Sequence, residues 1–276
     1  MDVAASGVAL ALGGGAALGW AHIGVVRTLM ERGVRIEAVA GTSIGALVAV
    51  CVAAGKLDVL EELARSANAM TMLRYLDLGF RGGVLGGRAI ERELKRHFAH
   101  THLEDLALPC ATVAADLLGG TEVVLSTGPV VEAVRASIAI PGIFRPVRRD
   151  GQLLADGGLV NPVPVSAVRR LSRAPVVAVN LQGDYLRRAA AIGLAGAGHR
   201  ASALRVTRAS LGLLLTALST HVLTAHPAEV VVTPPVGHVD VGDFTKAEAL
   251  ILAGRTAAEA ALPEIAATLR LHASNA

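Results

Sequence analysis

Gly41-Thr42-Ser43-Ile44-Gly45 lies between two apolar runs. Ile36 to Ala40 has the composition of a short buried strand, and Ile44 to Ala54 continues without a charged side chain as a buried helix. Ser43 therefore stands at a strand-to-helix corner. The glycines on either side, Gly41 and Gly45, remove the Cβ atoms that would obstruct a sharp bend and the approach of a substrate. A serine held in such a turn presents its hydroxyl outward. The helix N-terminus just beyond it offers unpaired N–H groups and a partial positive charge to a developing oxyanion.

The preceding unit repeats the layout: an apolar run from Gly7 to Leu12, the turn Gly13-Gly14-Gly15, and a helical pattern from Gly19 to Arg32. Such a turn surrounds an anion with backbone N–H groups. A dinucleotide fingerprint beginning at Gly13 needs glycine where Leu18 stands, and a P-loop beginning at Gly14 needs Lys and Ser or Thr where Trp20 and Ala21 stand. Neither phosphate motif fits. Two readings remain, an oxyanion hole facing Ser43 or a turn needed only for close helix-to-strand packing.

Composition bounds the rest. A 53% hydrophobic content and a mean hydropathy of +0.53 raise the question of a membrane span. The uncharged stretches Val3 to Val26 and Ala38 to Gly55 are interrupted by glycines or by the serine corner, so both read as buried α/β core. Asp2, with no Lys or Arg before the apolar run, argues against a signal peptide, and a cytoplasmic location is expected. Cys51 and Cys110 sit in apolar runs and imply no disulfide framework. No shift of composition marks a linker, so residues 1–276 are read as one domain.

Further along, helices are expected over Leu57 to Ala69, Arg88 to Ala99, Val130 to Ser137, from Pro162 and Pro164 to Leu171, Ala201 to Ala225, Thr245 to Ala253 and Thr256 to Leu271. Pro109 to Leu117 and Thr121 to Ser126 read as a β-hairpin; Arg145 to Leu154, Val176 to Leu181 and Val230 to Thr233 read as strands. The alternation predicts a three-layer α/β fold, with a mostly parallel central sheet flanked by helices. Met70 to Gly87, rich in methionine, leucine and glycine, has the composition of an acyl-chain wall or lid as well as of an ordinary core crossing. His97, His100 and His102 end a helix without the spacing of a metal site, and no calcium motif is present, so no metal or cofactor is expected.

A serine nucleophile needs a base. Asp156, followed by Gly157 and Gly158, can serve in two ways: within a triad completed by His226 or His238, or alone, taking the proton of Ser43 directly. The triad order usually follows several strands, and here about two precede Ser43. Asp156 as a simple helix cap is the third reading.

Gly13-Gly14-Gly15 ahead of Gly19, then Gly41-Thr42-Ser43-Ile44-Gly45, the block Ala136 to Phe144, and Asp156-Gly157-Gly158 together resemble the patatin-like phospholipases in kind and order. The resemblance implies a serine acyl hydrolase with a Ser-Asp dyad. Ser43 matches the nucleophile, Asp156 the general base, and Gly13, Gly14 and Gly15 the oxyanion loop; Ala136 to Phe144 matches a structural segment beside the site. Where the family usually carries Arg or Lys before the glycine matching Gly19, this chain has Leu18. The substrate class implied is a phospholipid or lysophospholipid ester, with a soluble esterase or thioesterase on small acyl groups as the alternative.

The segment Tyr185 to Ala228 holds Arg187, Arg188, Arg200, Arg205 and Arg208 and no acidic residue. It suits peripheral contact with an anionic membrane, and a membrane-surface regulatory protein with a weakened hydrolase site is the reading from another class. With 3% aromatic residues there is little to stack on bases, so nucleic acid is not an expected partner.

Overall fold

The computed structural model describes residues 7–67, 87–192 and 202–275. The Met70 to Gly87 stretch falls outside them, apart from Gly87. An eight-stranded sheet runs in the order β5-β6-β3-β2-β1-β7-β8, with β4 paired to the other side of β3. β1 (Val8–Leu12), β2 (Ile36–Thr42), β3 (Cys110–Asp116), β7 (Val176–Val179) and β8 (Val230–Val232) are parallel neighbours. β4 (Thr121–Leu125), β5 (Val147–Arg149) and β6 (Gln152–Asp156) form the antiparallel part. The expected mixed sheet of mostly parallel strands flanked by helices is the fold found.

Side-chain alternation along the strands makes the two faces unequal. One face carries Val8, Leu10, Leu12, Val39, Val177 and Val179 under α1 (Trp20–Glu31), α2 (Ile44–Ala53) and α9 (Ala247–Asn275). The other carries Ala9, Ala11, Ala38, Ala40, Ala111 and Ala178. These small side chains let the short helix α6 (Val165–Arg169) lie close to the sheet through Val165, Ala167 and Val168. The outer helices are α3 (Leu57–Ser66), α4 (Arg88–Phe98), α5 (Val130–Ser137), α7 (Tyr185–Ala191) and α8 (Ala203–Ala225).

Two expectations are corrected. Arg145 to Leu154 is a hairpin of β5 and β6, because Asp150 and Gly151 both take positive φ, 49° and 81°, and reverse the chain between them. The two closing helices are one, α9, which runs through Gly254 and Pro263. Packing overrides the breaker at Gly254: a Cβ there would lie 1.9 Å from the Ala21 carbonyl oxygen of α1, and one at Gly24 would lie 1.9 Å from the Ile251 carbonyl oxygen. Each helix thus needs a glycine against the other's backbone. Gly254→Ala is expected to cost about 2 kcal/mol by overpacking and to lower Tm by about 5 °C. Thermal unfolding followed by circular dichroism checks it.

Candidate functional site

β3 explains how the site forms. Its first half pairs with β2, where Thr42 lies opposite Val113, and its second half pairs on the same flank with β6, where Asp156 lies opposite Ala114. β2 and β6 run in opposite directions along β3, so their last residues meet end to end. Ser43 and Asp156, 113 positions apart in sequence, are thereby neighbours, and Ser43 Oγ donates a 2.6 Å hydrogen bond to Asp156 Oδ2.

Ser43 has φ 57° and ψ −125°, a region that non-glycine residues occupy only under constraint, at a cost of about 1–3 kcal/mol. Ser137 Oγ accepts the Ser43 N–H at 2.9 Å and donates to the Val113 carbonyl at 2.6 Å. A buried hydroxyl thus fixes the corner to the neighbouring strand. The bend also brings α2 against β1: a Cβ on Gly45 would stand 2.1 Å from the Leu12 carbonyl oxygen. No residue but glycine fits there without moving one of the two elements.

Asp156 combines two of the readings open from sequence. Its Oδ1 accepts the Gly158 N–H at 2.8 Å as a helix cap, while Oδ2 accepts the Ser43 hydroxyl. Its own N–H donates to the Ala139 carbonyl at 3.0 Å. Ser137 and Ala139 give the block at the end of α5 its place: it holds the backbone of both Ser43 and Asp156. Burial pushes the Asp156 carboxyl up to about 6, against the smaller opposing effect of its bonds from Ser43 and Gly158. The triad reading fails, because His226 and His238 are exposed and Asp156 bonds to neither.

The glycine loop lies beside Ser43, with a Cβ on Gly14 reaching 3.4 Å from the Ser43 Cβ. Its polar groups divide into two sets. The Gly13 N–H donates to the Val179 carbonyl and the Gly14 N–H to the Pro162 carbonyl, so both are committed to the frame. The Gly15, Ala16 and Ile44 N–H groups have no partner among the described residues. Of the three expected loop donors only Gly15 is open, and Ala16, held at φ 49°, joins it.

The loop carbonyls are held as well. Fully buried His22 donates from Nε2 to the Gly13 carbonyl at 2.7 Å; desolvation lowers its pKa to about 4 and keeps it neutral. Gln182 Nε2 donates to the Gly14 carbonyl at 3.0 Å. Thr42 Oγ1 donates to the Asn161 carbonyl at 2.8 Å, tying β2 to the segment after Asp156.

Ser137, His22, Asn161 and Gln182 were not singled out from sequence. The only available signal was a polar residue inside an otherwise apolar stretch near a motif.

Leu18, where a cation was the resemblance's norm, is fully buried in the core. Among the described residues no group of three His, Cys, Asp or Glu side chains converges as a metal site, and His97 and His102 pair with Glu93 and Asp105. Cys51 and Cys110 are free, and burial pushes both thiols up to about 12.

A mixed sheet with a strained serine at a strand-to-helix corner, and a carboxylate brought to its hydroxyl from an antiparallel strand, defines an α/β protein of the serine-elbow type. The chain belongs to the patatin-like phospholipase family, whose model matches residues 10–169. Among curated relatives, an uncharacterized NTE family protein of Mycobacterium tuberculosis is 43% identical over 178 residues, covering 64% of this chain and 49% of that protein. A second such protein of that species is 31% identical over 286 residues, covering 94% of this chain and 47% of its own length. The chain thus spans about half the length of these relatives. Mouse patatin-like phospholipase domain-containing protein 6 is 35% identical over 181 residues, covering 63% of this chain and 13% of its own. The fold is similar to that of VipD from Legionella pneumophila, with a TM-score of 0.50 and 14% identity, over 97% of this chain and 67% of that one.

A carboxyl held near pH 6 has its folded pKa above its ordinary value of 3.8, so the fold gains stability from the neutral form at low pH and loses it as pH rises through about 6. Asp156→Asn is therefore expected to raise Tm at pH 8, and to leave it nearly unchanged at pH 4. Melting curves at the two pH values check the sign.

Proposed function

We propose that the chain is a serine acyl hydrolase that cleaves lipid carboxylic esters, with Ser43 as nucleophile and Asp156 as general base. The observation that carries the reading is the 2.6 Å bond from the Ser43 hydroxyl to the buried Asp156 carboxylate, beside backbone donors with no partner among the described residues. As Ser43 Oγ bonds to the ester carbonyl carbon, its proton passes to Asp156 Oδ2. The carbonyl oxygen takes up the negative charge and meets the N–H groups of Gly15, Ala16 and Ile44. The intermediate collapses with cleavage of the bond to the alcohol oxygen, which leaves with the proton from Asp156. Water then attacks the acyl-serine, giving one proton to Asp156, and Ser43 recovers a proton as the fatty acid departs. A carboxylate with its pKa near 6 is a stronger base than one in water, and it is still ionised at neutral pH.

Ser43→Ala and Asp156→Asn are each expected to lower hydrolysis of a p-nitrophenyl ester by at least about a thousandfold while preserving the circular dichroism spectrum. A fluorophosphonate probe is expected to label wild-type Ser43 and not Ser43→Ala. Full activity in either variant removes that residue from the mechanism.

A lipid substrate fits a second observation. α8 carries apolar side chains on both sides: Ala209, Gly212 and Val222 face the protein with Ser219, while Val206, Leu213, Leu214 and Ala217 share the exposed arc with Ser210, His221 and Thr224. Leu213 and Leu214 are 52% and 65% exposed. Arg205–Ala225 is also long and apolar enough, by length and composition, to cross a membrane. With no acidic residue between Tyr185 and Ala228, and with Arg187 and Arg205 exposed, the occupant proposed for this arc is an anionic lipid surface. Thr216 of the same helix reaches the Gln182 carbonyl at 3.1 Å, which links the arc to the glycine-loop support. The chain is expected to float with phosphatidylglycerol vesicles, and Leu213→Ser combined with Leu214→Ser to abolish flotation. Equal failure to float with anionic and neutral vesicles would discard the docking.

A further inference from the structure

Arg188 takes no part in the chemistry above, yet its guanidinium is buried, 5% exposed, and among the described residues no carboxylate bonds to it and Nε has no acceptor. A buried cation without an ion pair is destabilising, and an apolar side chain of similar size would fit the fold better. Its two bonds indicate why a cation is kept. Nη2 donates to the Leu181 carbonyl at 2.9 Å, and Nη1 donates to Gln182 Oε1. Gln182, itself 3% exposed, is oriented by this contact so that its Nε2 donates to the Gly14 carbonyl.

The consequence follows from peptide geometry. In a trans peptide the C=O of one residue and the N–H of the next point in opposite directions. Fixing the Gly14 oxygen toward Gln182 therefore aims the Gly15 N–H the other way, and that N–H has no partner among the described residues. Charge adds to orientation: a guanidinium polarises the Gln182 amide, the amide polarises the Gly14–Gly15 peptide, and the N–H at the far end becomes a stronger donor. Residues 13–19 carry no charged side chain of their own to do this.

We propose that Arg188 is a positioning residue which, through Gln182, holds the Gly14–Gly15 peptide so that the Gly15 N–H meets the oxyanion formed at the ester carbonyl. The inference deepens the hydrolase reading and rests on it. It assigns transition-state stabilisation to a residue that never touches substrate. Its signature is a loss in kcat without a matching change in KM, because the oxyanion exists only after attack.

The test uses the full chain carrying Gln182→Glu or Arg188→Met. In the first, the introduced carboxylate keeps the Arg188 contact but has no N–H for the Gly14 oxygen, so folding and function are separated. Both variants are expected to lose about ten- to a hundredfold in kcat on p-nitrophenyl butyrate, with KM within about twofold. The inhibition constant of a trifluoromethyl ketone, which forms an oxyanionic adduct with an active serine, is expected to rise by the same factor. Arg188→Lys is expected to recover part of the loss, since an ammonium lacks the planar fork that serves both acceptors together. Wild-type kcat in Gln182→Glu, or a loss confined to KM, overturns the inference while leaving the hydrolase reading intact. A wild-type chain that neither cleaves the ester nor reacts with a fluorophosphonate overturns the hydrolase reading, and this inference with it.

Discussion

Everything in the site depends on one strand being shared by two others that end against each other. β3 accepts β2 along its first half and β6 along its second, on the same edge, with Thr42 opposite Val113 and Asp156 opposite Ala114. Successive positions on β3 thus bring the two strand ends together from opposite directions. Neither Ser43 nor Asp156 is carried by a long loop. Both sit where a hydrogen-bonded ladder stops, so their separation is set by the 3.3 Å rise of a strand rather than by flexible chain. The strained backbone at Ser43 is tolerated because the ladder on one side and the first turn of α2 on the other leave it no alternative.

Burial raises the proton affinity of Asp156. The backbone groups around it are paired selectively. Gly13 and Gly14 N–H groups, the Gly13 and Gly14 carbonyls, the Ser43 N–H and the Asp156 N–H are all paired. The Gly15, Ala16 and Ile44 N–H groups have no partner among the described residues, and Gly15 and Ala16 are half-buried, so these donors beside Ser43 are not used by the frame and remain open to a ligand.

Much of this was legible in the chain itself. The serine corner is written as a strand-period run, two glycines and a helix-length apolar run, three local signals that agree. The pairing of Ser43 with Asp156 is not local: no pattern in residues 152–158 says which strand end they will meet, so the residues leave it as one reading among three, and the resemblance to a family favours it. The β5–β6 hairpin is missed although Asp150-Gly151 is a strong turn signal, because Arg145 to Leu154 also reads as one continuous strand. The single long α9 was read as two helices because glycine is a helix breaker only where nothing replaces its missing side chain; at Gly254 the backbone of α1 does. His22, Ser137 and Gln182 lay beyond the sequence for a simpler reason. Whether a buried polar side chain is a functional clamp or a satisfied core residue depends on which carbonyl it meets, and that is a property of the fold.

The family match and the site divide the molecule in an instructive way. Residues 10–169 contain the glycine loop, Ser43, the Ser137 clamp and Asp156, so every group that would touch a reacting ester lies within the part shared with the family. Gln182, Arg188 and α8 lie beyond it, yet they form one chain of contacts to the loop: Gln182 donates to the Gly14 carbonyl, Arg188 donates to the Gln182 side chain, and Thr216 of α8 donates to the Gln182 carbonyl. On the proposed mechanism, chemistry and its adjustment would be carried by different stretches of chain. A change in α7 or α8 can alter how well the loop is aimed, or what surface the molecule meets, without moving the serine or its carboxylate.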